Sequence, residues 1–441
     1  MARQRRRSRG RVVDIDPVTW WTNQDEADTI IASEQLWAWL SASPSAILHQ
    51  YNTLLTDLRR HTLRGSHACA QRTLELLRNL IGGCKIQTVK LLIQSLCVMG
   101  RELLAAAPAE LAIMNIVRRV LSLVREEAEL VVKREVEGDG ERRGGGERDG
   151  AGLDGGDVAR YGRTRGLSAS GSASAPEEED VLAINFKRVR SNVLEAINDL
   201  MDELANVNAS VSDSVGGYIH SNDIILTHGA DDTVQSFLLA AAGYVMDSEG
   251  GSLRRKRKKD CRTFEVFVTE AAPSLDGHKM ALELAKHDIK ATVIADAAVF
   301  AVMARVHKVI VGAHVVMADG GLISKAGAHA VALAAKHHSV PFVCVTGLFK
   351  LCPIYAGGGV RATGDGSFGF KNILLSPGDV YDFATADLKV LHPHSVVDVQ
   401  NPAFDFVPPR LVTLFVTNDR DAQPSYVYRL LAENYHRADS I

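Results

Sequence analysis

The chain has 441 residues, of which 46% are hydrophobic and 23% charged, and a formal net charge of -3. These are the proportions of a globular protein with room for about three domains. So small a net charge gives no global pull toward nucleic acid or membrane, and any such contact has to come from a local cluster.

The most apolar run, "ATVIADAAVFAVMARV", is broken by Asp296 and Arg305 and is too short to span a bilayer, so no membrane contact is expected. Six cysteines (Cys69, Cys84, Cys97, Cys261, Cys344, Cys352) form no C-x-x-C and no paired spacing. They read as free thiols in a reducing compartment, the cytoplasm. Residues 1–24 are basic but lead to no signal-peptide core, and are expected to be flexible.

From 25 to 133 apolar residues recur at steps of three and four, as in "LELLRNLIGG" and "LAIMNIVRRVLSLVREEAELVV". This predicts an all-helical N-terminal domain. Composition then shifts: residues 138–171 carry twelve of the 36 glycines, and 134–180 as a whole is predicted to be a disordered linker, having too little apolar surface to offset its ordering entropy. Order resumes in 181–441. Leu182, Phe186, Val189, Val193, Ile197, Leu200, Leu204, Val207, Val211 and Val215 predict one long amphipathic helix ending at Gly216 and Gly217.

Beyond it the period switches. Short β-rich runs ("DIILTH", "FEVFVT", "KATVIA", "KVIVGA", "PFVCVT", "LVTLFVT") alternate with helices starting near Asp232, Gly277, Ala297 and Lys325. Strands apolar on both faces and separated by helices predict a Rossmann-like α/β domain with a parallel sheet covered on both sides.

Motifs for cofactors are weak. "GAGLDG" at Gly150 and "GDGSFG" at Gly364 fit G-x-G-x-x-G literally, but neither follows a strand and opens a helix. There is no phosphate-cradling G-x-x-x-x-G-K-[ST]. The pairs His337/His338 and His392/His394 have no cysteine or carboxylate at metal-site spacing. No cofactor and no metal are therefore expected. The basic run from Arg254 to Lys259 lacks interleaved aromatics for stacking bases, so direct nucleic-acid binding is not the favoured reading.

In an open α/β sheet the ligand crevice lies outside the carboxyl ends of the strands. The residues falling there are His228 and Gly229 after the first strand, Glu270 after the second, Asp296 after the third and His314 after the fourth, with Asp319 and Lys325 on the turn beyond. Two readings stay open at this point: these residues form a site, or they cap helices and tie loops.

The stretch "ADAAVFAVMARVHKVIVGAHVVMADGGLISKAGAHAVALAAKHHSVPFVCV", with "TEAAPSLDGHKMALELAK" before it and "NPAFDFVPPRLVTLFVTN" and "PSYVYRLLAENYH" after it, resembles the family of regulatory subunits of eukaryotic translation initiation factor 2B. The likeness covers most of residues 180–441, and "DAAVFAVMARV" and "GLFKLCP" look closer to its beta branch than to alpha or delta. The family shares its fold with sugar-phosphate isomerases acting on methylthioribose 1-phosphate and ribose 1,5-bisphosphate, and these imply a chemical test. Their cysteine follows a Thr-His pair at the end of the first strand, where "ILTHG" has Gly229. Their aspartate follows Gly-Ala at the end of the fourth strand, where "VGAHV" has His314. The resemblance thus implies a vestigial pocket and no enzyme activity, with an active isomerase as the alternative. His228 and His314 remain able in principle to shuttle protons.

The resemblance further implies a heterodecameric guanine-nucleotide exchange complex for initiation factor 2. Partners would be the alpha, gamma, delta and epsilon subunits of that complex and the phosphorylated alpha subunit of initiation factor 2. The expected subunit interface includes Asn401, Pro402, Phe404, Asp405, Pro408 and Pro409, whose prolines hold an extended path that cannot pair as a central strand, together with Tyr426.

Overall fold

The computed structural model describes residues 45–83, 86–144, 178–246, 253–255, 262–355, 372–381, 398–436 and 439. The basic N-terminus, the glycine-rich stretch 145–177, both G-x-G-x-x-G matches, Lys256 to Lys259 of the basic run, and His392 and His394 lie outside the described residues.

The N-terminal domain is a helical bundle of α1 (Ser45–Arg59), α2 (Ser66–Gly83), α3 (Val89–Ala106) and α4 (Leu111–Gly144). Each helix buries one stripe: Tyr51, Leu54 and Leu58 in α1, Leu74, Leu77 and Ile81 in α2, Leu92, Leu96 and Met99 in α3, Ile113, Val117, Val120 and Val124 in α4. The Thr88 side chain caps α3 by accepting from Leu91 N. Helix α4 runs past the boundary expected at 134. A helix already nucleated and packed extends at the cost of fixing one residue per hydrogen bond, and the Arg and Glu residues beyond 133 are strong helix formers.

The long helix expected from Leu182 is two helices, α5 (Glu178–Ala183) and α6 (Phe186–Asp213). The break is a tertiary effect: Ile184 O accepts from Val89 N at 3.1 Å and Phe186 N donates to Gln87 O at 2.8 Å. Asn185 then starts α6 as its cap, accepting from Lys187 N at 3.0 Å. Buried Phe186, Val189, Val193, Ile197, Leu204, Val207 and Val211 form its apolar stripe. Helix α6 packs against α2 and α4 on the bundle side and against α7 (Asp232–Ala241) on the sheet side. One continuous core therefore runs from the bundle through α6 into the α/β domain.

That domain is built on β1 (Ile224–His228), β4 (Glu265–Thr269), β5 (Lys290–Ile294), β6 (Lys308–Gly312), β9 (Phe342–Val345) and β11 (Leu414–Val416). All pairings among them are parallel, in the order β11-β9-β6-β1-β4-β5. The short strands β2 (Tyr244–Met246) and β3 (Leu253–Arg255) form a separate antiparallel pair.

Alternate strand residues feed two cores. Ile225, Val266, Val268, Ile310 and Val343 join the core shared with the bundle, together with Met280 and Leu284 of α8 (Asp276–Lys286). Leu226, Phe267, Val309, Val311 and Phe342 join a second core under α9 (Val299–Met303), α10 (Ala328–His337) and α11 (Val427–Asn434). A sheet covered on both faces needs apolar residues at every position. The edge strand β5 departs from that expectation: Lys290, Thr292 and Val293 are exposed.

A second, three-stranded antiparallel sheet was not foreseen. It joins β7 (Val315–Val316), β8 (Leu322–Lys325) and β10 (Phe404–Val407), in the order β10-β8-β7. The helix expected from Lys325 consequently starts at Ala328, since Lys325 ends a strand whose partner lies far along the chain. The segment "NPAFDFVPP" is more than a rigid loop: it supplies an edge strand, with Pro402 before it and Pro408 and Pro409 after it, where no ladder donor is lost.

The bundle is also tied to the end of the chain. Arg119 donates to Asn434 O at 2.8 Å, and Arg125 makes two hydrogen bonds, of 3.0 and 3.2 Å, to the buried Asp439 carboxylate.

Candidate functional site

Strand order reverses between β1 and β6, and outside their carboxyl ends lies a cleft of about 750 Å³. His228, Asp231, His314, Lys325 and Lys350 line its sheet side, and Arg64, Ser66 and Glu110 its bundle side.

On the β1 side His228 is 5% exposed. Its Nε2 lies 2.7 Å from Ala326 O and its Nδ1 2.7 Å from Thr269 Oγ1. A carbonyl only accepts, so Nε2 carries the proton, and burial holds the imidazole below its usual value. The neutral ring then accepts the Thr269 hydroxyl at Nδ1. Gly327, with φ +102, makes room for it: a Cβ there would stand 2.6 Å from the ring.

The next residue, Gly229, has φ +62, and a Cβ on it would meet Ala271 Cβ and Lys325 Cδ at 3.2 Å. The space above it is filled by Lys325, whose ammonium pairs with Asp276 at 2.9 Å. Burial raises the Asp276 carboxyl, but the hydrogen bonds and charges of Lys325 and then Lys279 outweigh it and hold the group below its ordinary value.

On the β6 side Asp231 caps α7, its Oδ1 accepting from Thr233 N at 2.9 Å and Val234 N at 3.1 Å. The helix terminus that would receive an anion is thus already satisfied by a carboxylate. Gly312 allows this, because a Cβ there would fall 2.2 Å from Asp231 Cγ. Buried Lys350 donates to Ala313 O at 2.7 Å, with Asp231 Oδ2 3.9 Å away.

His314 follows. Its Nδ1 is 3.0 Å from Ser66 Oγ, its Nε2 2.9 Å from Ala109 O, and its ring stacks on Phe404 with centroids 4.1 Å apart. Burial again holds the imidazole below its usual value.

Three of the expected residues stand elsewhere. Glu270 is engaged through its backbone, donating to Ile294 O and accepting from Gly277 N. Asp296 ties the loop after β4 by accepting from Ala271 N and Ala272 N, and Asp319 closes the β7–β8 turn by accepting from Gly321 N. None of the three lines the cleft. Short carboxylates after strands satisfy turn donors, and that local demand prevails at Asp296 and Asp319.

The expected interface residues have intrachain partners as well. Asn401 is 3% exposed and donates to Ser376 O, while Asp405 accepts from Gly327 N at 2.7 Å at the start of α10. Phe404 stacks on His314, and Tyr426 lies under Arg429. Sequence reading missed Ser66, Asp276 and Lys350 as parts of the site. Only Lys350 left a signal, a lone cation within "GLFKLCP" directly after a buried strand.

Comparison with known proteins bears on what such a cleft belongs to. A match to the Initiation factor 2 subunit family spans residues 62–419. The chain belongs to this family. It is 36% identical over 401 residues to translation initiation factor eIF2B subunit beta of Dictyostelium discoideum, covering 88% of this chain and 95% of that protein. To the Schizosaccharomyces pombe eIF2B subunit beta it is 32% identical over 412 residues, covering 88% and 96%. The fold is similar to the crystal structure of eIF2B beta from Chaetomium thermophilum, with a TM-score of 0.58 at 22% identity, over 91% of this chain and 94% of that one. A tetrameric eIF2B-beta2-delta2 complex from the same organism superimposes with a TM-score of 0.57 at 22% identity, over 88% and 95%.

Proposed function

We propose that the chain is a non-catalytic, beta-type subunit of the initiation factor 2B complex. It would work in the cytoplasm by docking to the alpha, gamma, delta and epsilon subunits. In that setting it contributes to assembly and to sensing the phosphorylated alpha subunit of initiation factor 2, through a difference in contact free energy between active and inhibited states of the complex.

The observation that carries the non-catalytic part is the occupancy of the two reactive posts. Aldose–ketose isomerisation needs a group that moves a proton between carbons and a partner that stabilises the changing oxygen. At the end of β1 stands Gly229, which has no side chain, and the Lys325–Asp276 pair fills the space beside it. After β6 stands His314, with both ring nitrogens engaged by Ser66 and Ala109. His228 has both nitrogens committed in the same way. The proton-shuttle role open to these imidazoles on sequence grounds has no unoccupied ring nitrogen to work with.

The test has two arms. Co-expression with the gamma, delta and epsilon chains followed by sizing should place this chain in one large assembly, and elution on its own would refute the docking role. The purified chain incubated with methylthioribose 1-phosphate or ribose 1,5-bisphosphate should give no turnover above buffer, and conversion at enzymatic rates would refute the non-catalytic reading.

A further inference from the structure

His314 is reached from two domains at once. Ser66, the first residue of α2, and Ala109, just before α4, both belong to the bundle, and each is buried. Ser66 Oγ lies within hydrogen-bond distance of both Nδ1 and the backbone carbonyl of His314, at 3.0 and 3.1 Å, so its proton reaches the same residue either way. From the other side Phe404 of β10 stacks nearly parallel to the ring, at 21°. We propose that His314 is a latch between domains: it fixes the bundle against the mouth of the sheet and sets how far the cleft between them opens.

The neutral ring finds a partner for each nitrogen. Nε2–H donates to Ala109 O, and Nδ1 accepts from the Ser66 hydroxyl. A protonated ring would turn Nδ1 into a donor to Ser66 Oγ and leave the Ser66 hydroxyl proton to the His314 carbonyl, so what acid adds at the latch is a charge inside a buried junction. The charged groups facing it are Glu110 from the bundle, with Oε2 3.8 Å from Nε2, and Asp231 and Lys350 from the sheet side. Glu110 favours the charged ring and Lys350 opposes it, while burial outweighs both and keeps it neutral.

His228 supplies an internal control. It is also a buried neutral imidazole with two short hydrogen bonds, yet both of its partners, Thr269 and Ala326, lie within the α/β domain. Its loss weakens one domain and leaves the junction as it was. The latch therefore makes a spatial prediction that simple destabilisation does not.

Hydrogen exchange on the purified full-length chain, read by peptide mass spectrometry, tests it. At neutral pH His314→Ala is expected to speed exchange about tenfold in peptides covering the first turns of α2 and α4. Peptides from β1 and β6 should hold their protection. His314→Gln keeps one acceptor and one donor in reach and does not titrate. It should restore most of the protection and remove the extra opening of these peptides that is expected of the natural chain on acidification. If His314→Ala does not fold, Ser66→Ala is read in the same peptides, with a smaller increase expected.

A rise spread evenly over bundle and sheet, no rise at all, or failure of glutamine to restore protection would each overturn the latch. The readout needs neither partner subunits nor sugar phosphate. Failure of assembly or detection of turnover would thus sink the functional reading while leaving this one standing, and the reverse also holds.

Discussion

The ends of β1 and β6 present the same residue type in nearly the same electrostatic state, and they use it differently. His228 is turned inward: Thr269 and Ala326 take its two nitrogens, and Gly327 closes over its ring. His314 is turned outward, so that Ser66 and Ala109 of the bundle complete it. A buried polar ring must be fully hydrogen-bonded, but the source of its partners is open to selection. At one strand end the requirement is met locally and yields rigidity within a domain. At the other it is met across the junction and yields a joint.

The sharpest way to break this contrast is through the glycines that make room on each side. Gly327→Ala combines left-handed backbone strain with a Cβ 2.6 Å from a ring that cannot move, and is expected to cost about 3 kcal/mol in urea unfolding. Gly312→Ala drives the Asp231 carboxylate off its cap and should cost about 2 kcal/mol, with α7 loosened in hydrogen exchange. Equal costs together with identical exchange patterns would erase the distinction between the two strand ends.

Acidification sharpens it further. Both imidazoles are held below the ordinary histidine value of 6.5 in the folded chain. Between that value and the folded one the unfolded chain binds more protons, so stability is full above about 6.5 and declines as the pH falls through this window. Thermal unfolding between about pH 7.5 and 5.5 should record the decline, which should be shallower in His314→Gln. A transition temperature that did not change over this range would contradict it.

The smallest effect is expected at Lys325→Met. Its ion pair with Asp276 is partly exposed, and the loss should stay near or below about 1 kcal/mol in the same urea experiment. A larger loss would show that the filling of the space beside Gly229 matters more than pairing alone suggests.

The parallel sheet was legible because alternate residues of each strand enter two different cores, which forces uninterrupted apolar runs such as "KVIVGA" and "PFVCVT". The position of the cleft was legible for the same reason, since strand order decides where the switch point lies. What local sequence did not carry was pairing at a distance. The β8–β10 ladder turned Lys325 from a helix start into a strand end, and the Thr88–Asn185 bridge split the long helix. Ser66 was invisible as a site residue because nothing near it in the chain announces a partner in a loop so far away. Asp296 and Asp319 fell at the right strand end and turn but answered the demands of nearby loops, and Glu270 is held there through its backbone.

Helices α4 and α5 pack against each other, so the segment joining them closes a loop between two elements in contact. Closing a flexible loop costs only about 0.6 kcal/mol more for each doubling of its length. Adding or removing residues between α4 and α5 is consequently expected to leave the unfolding transition nearly where it was.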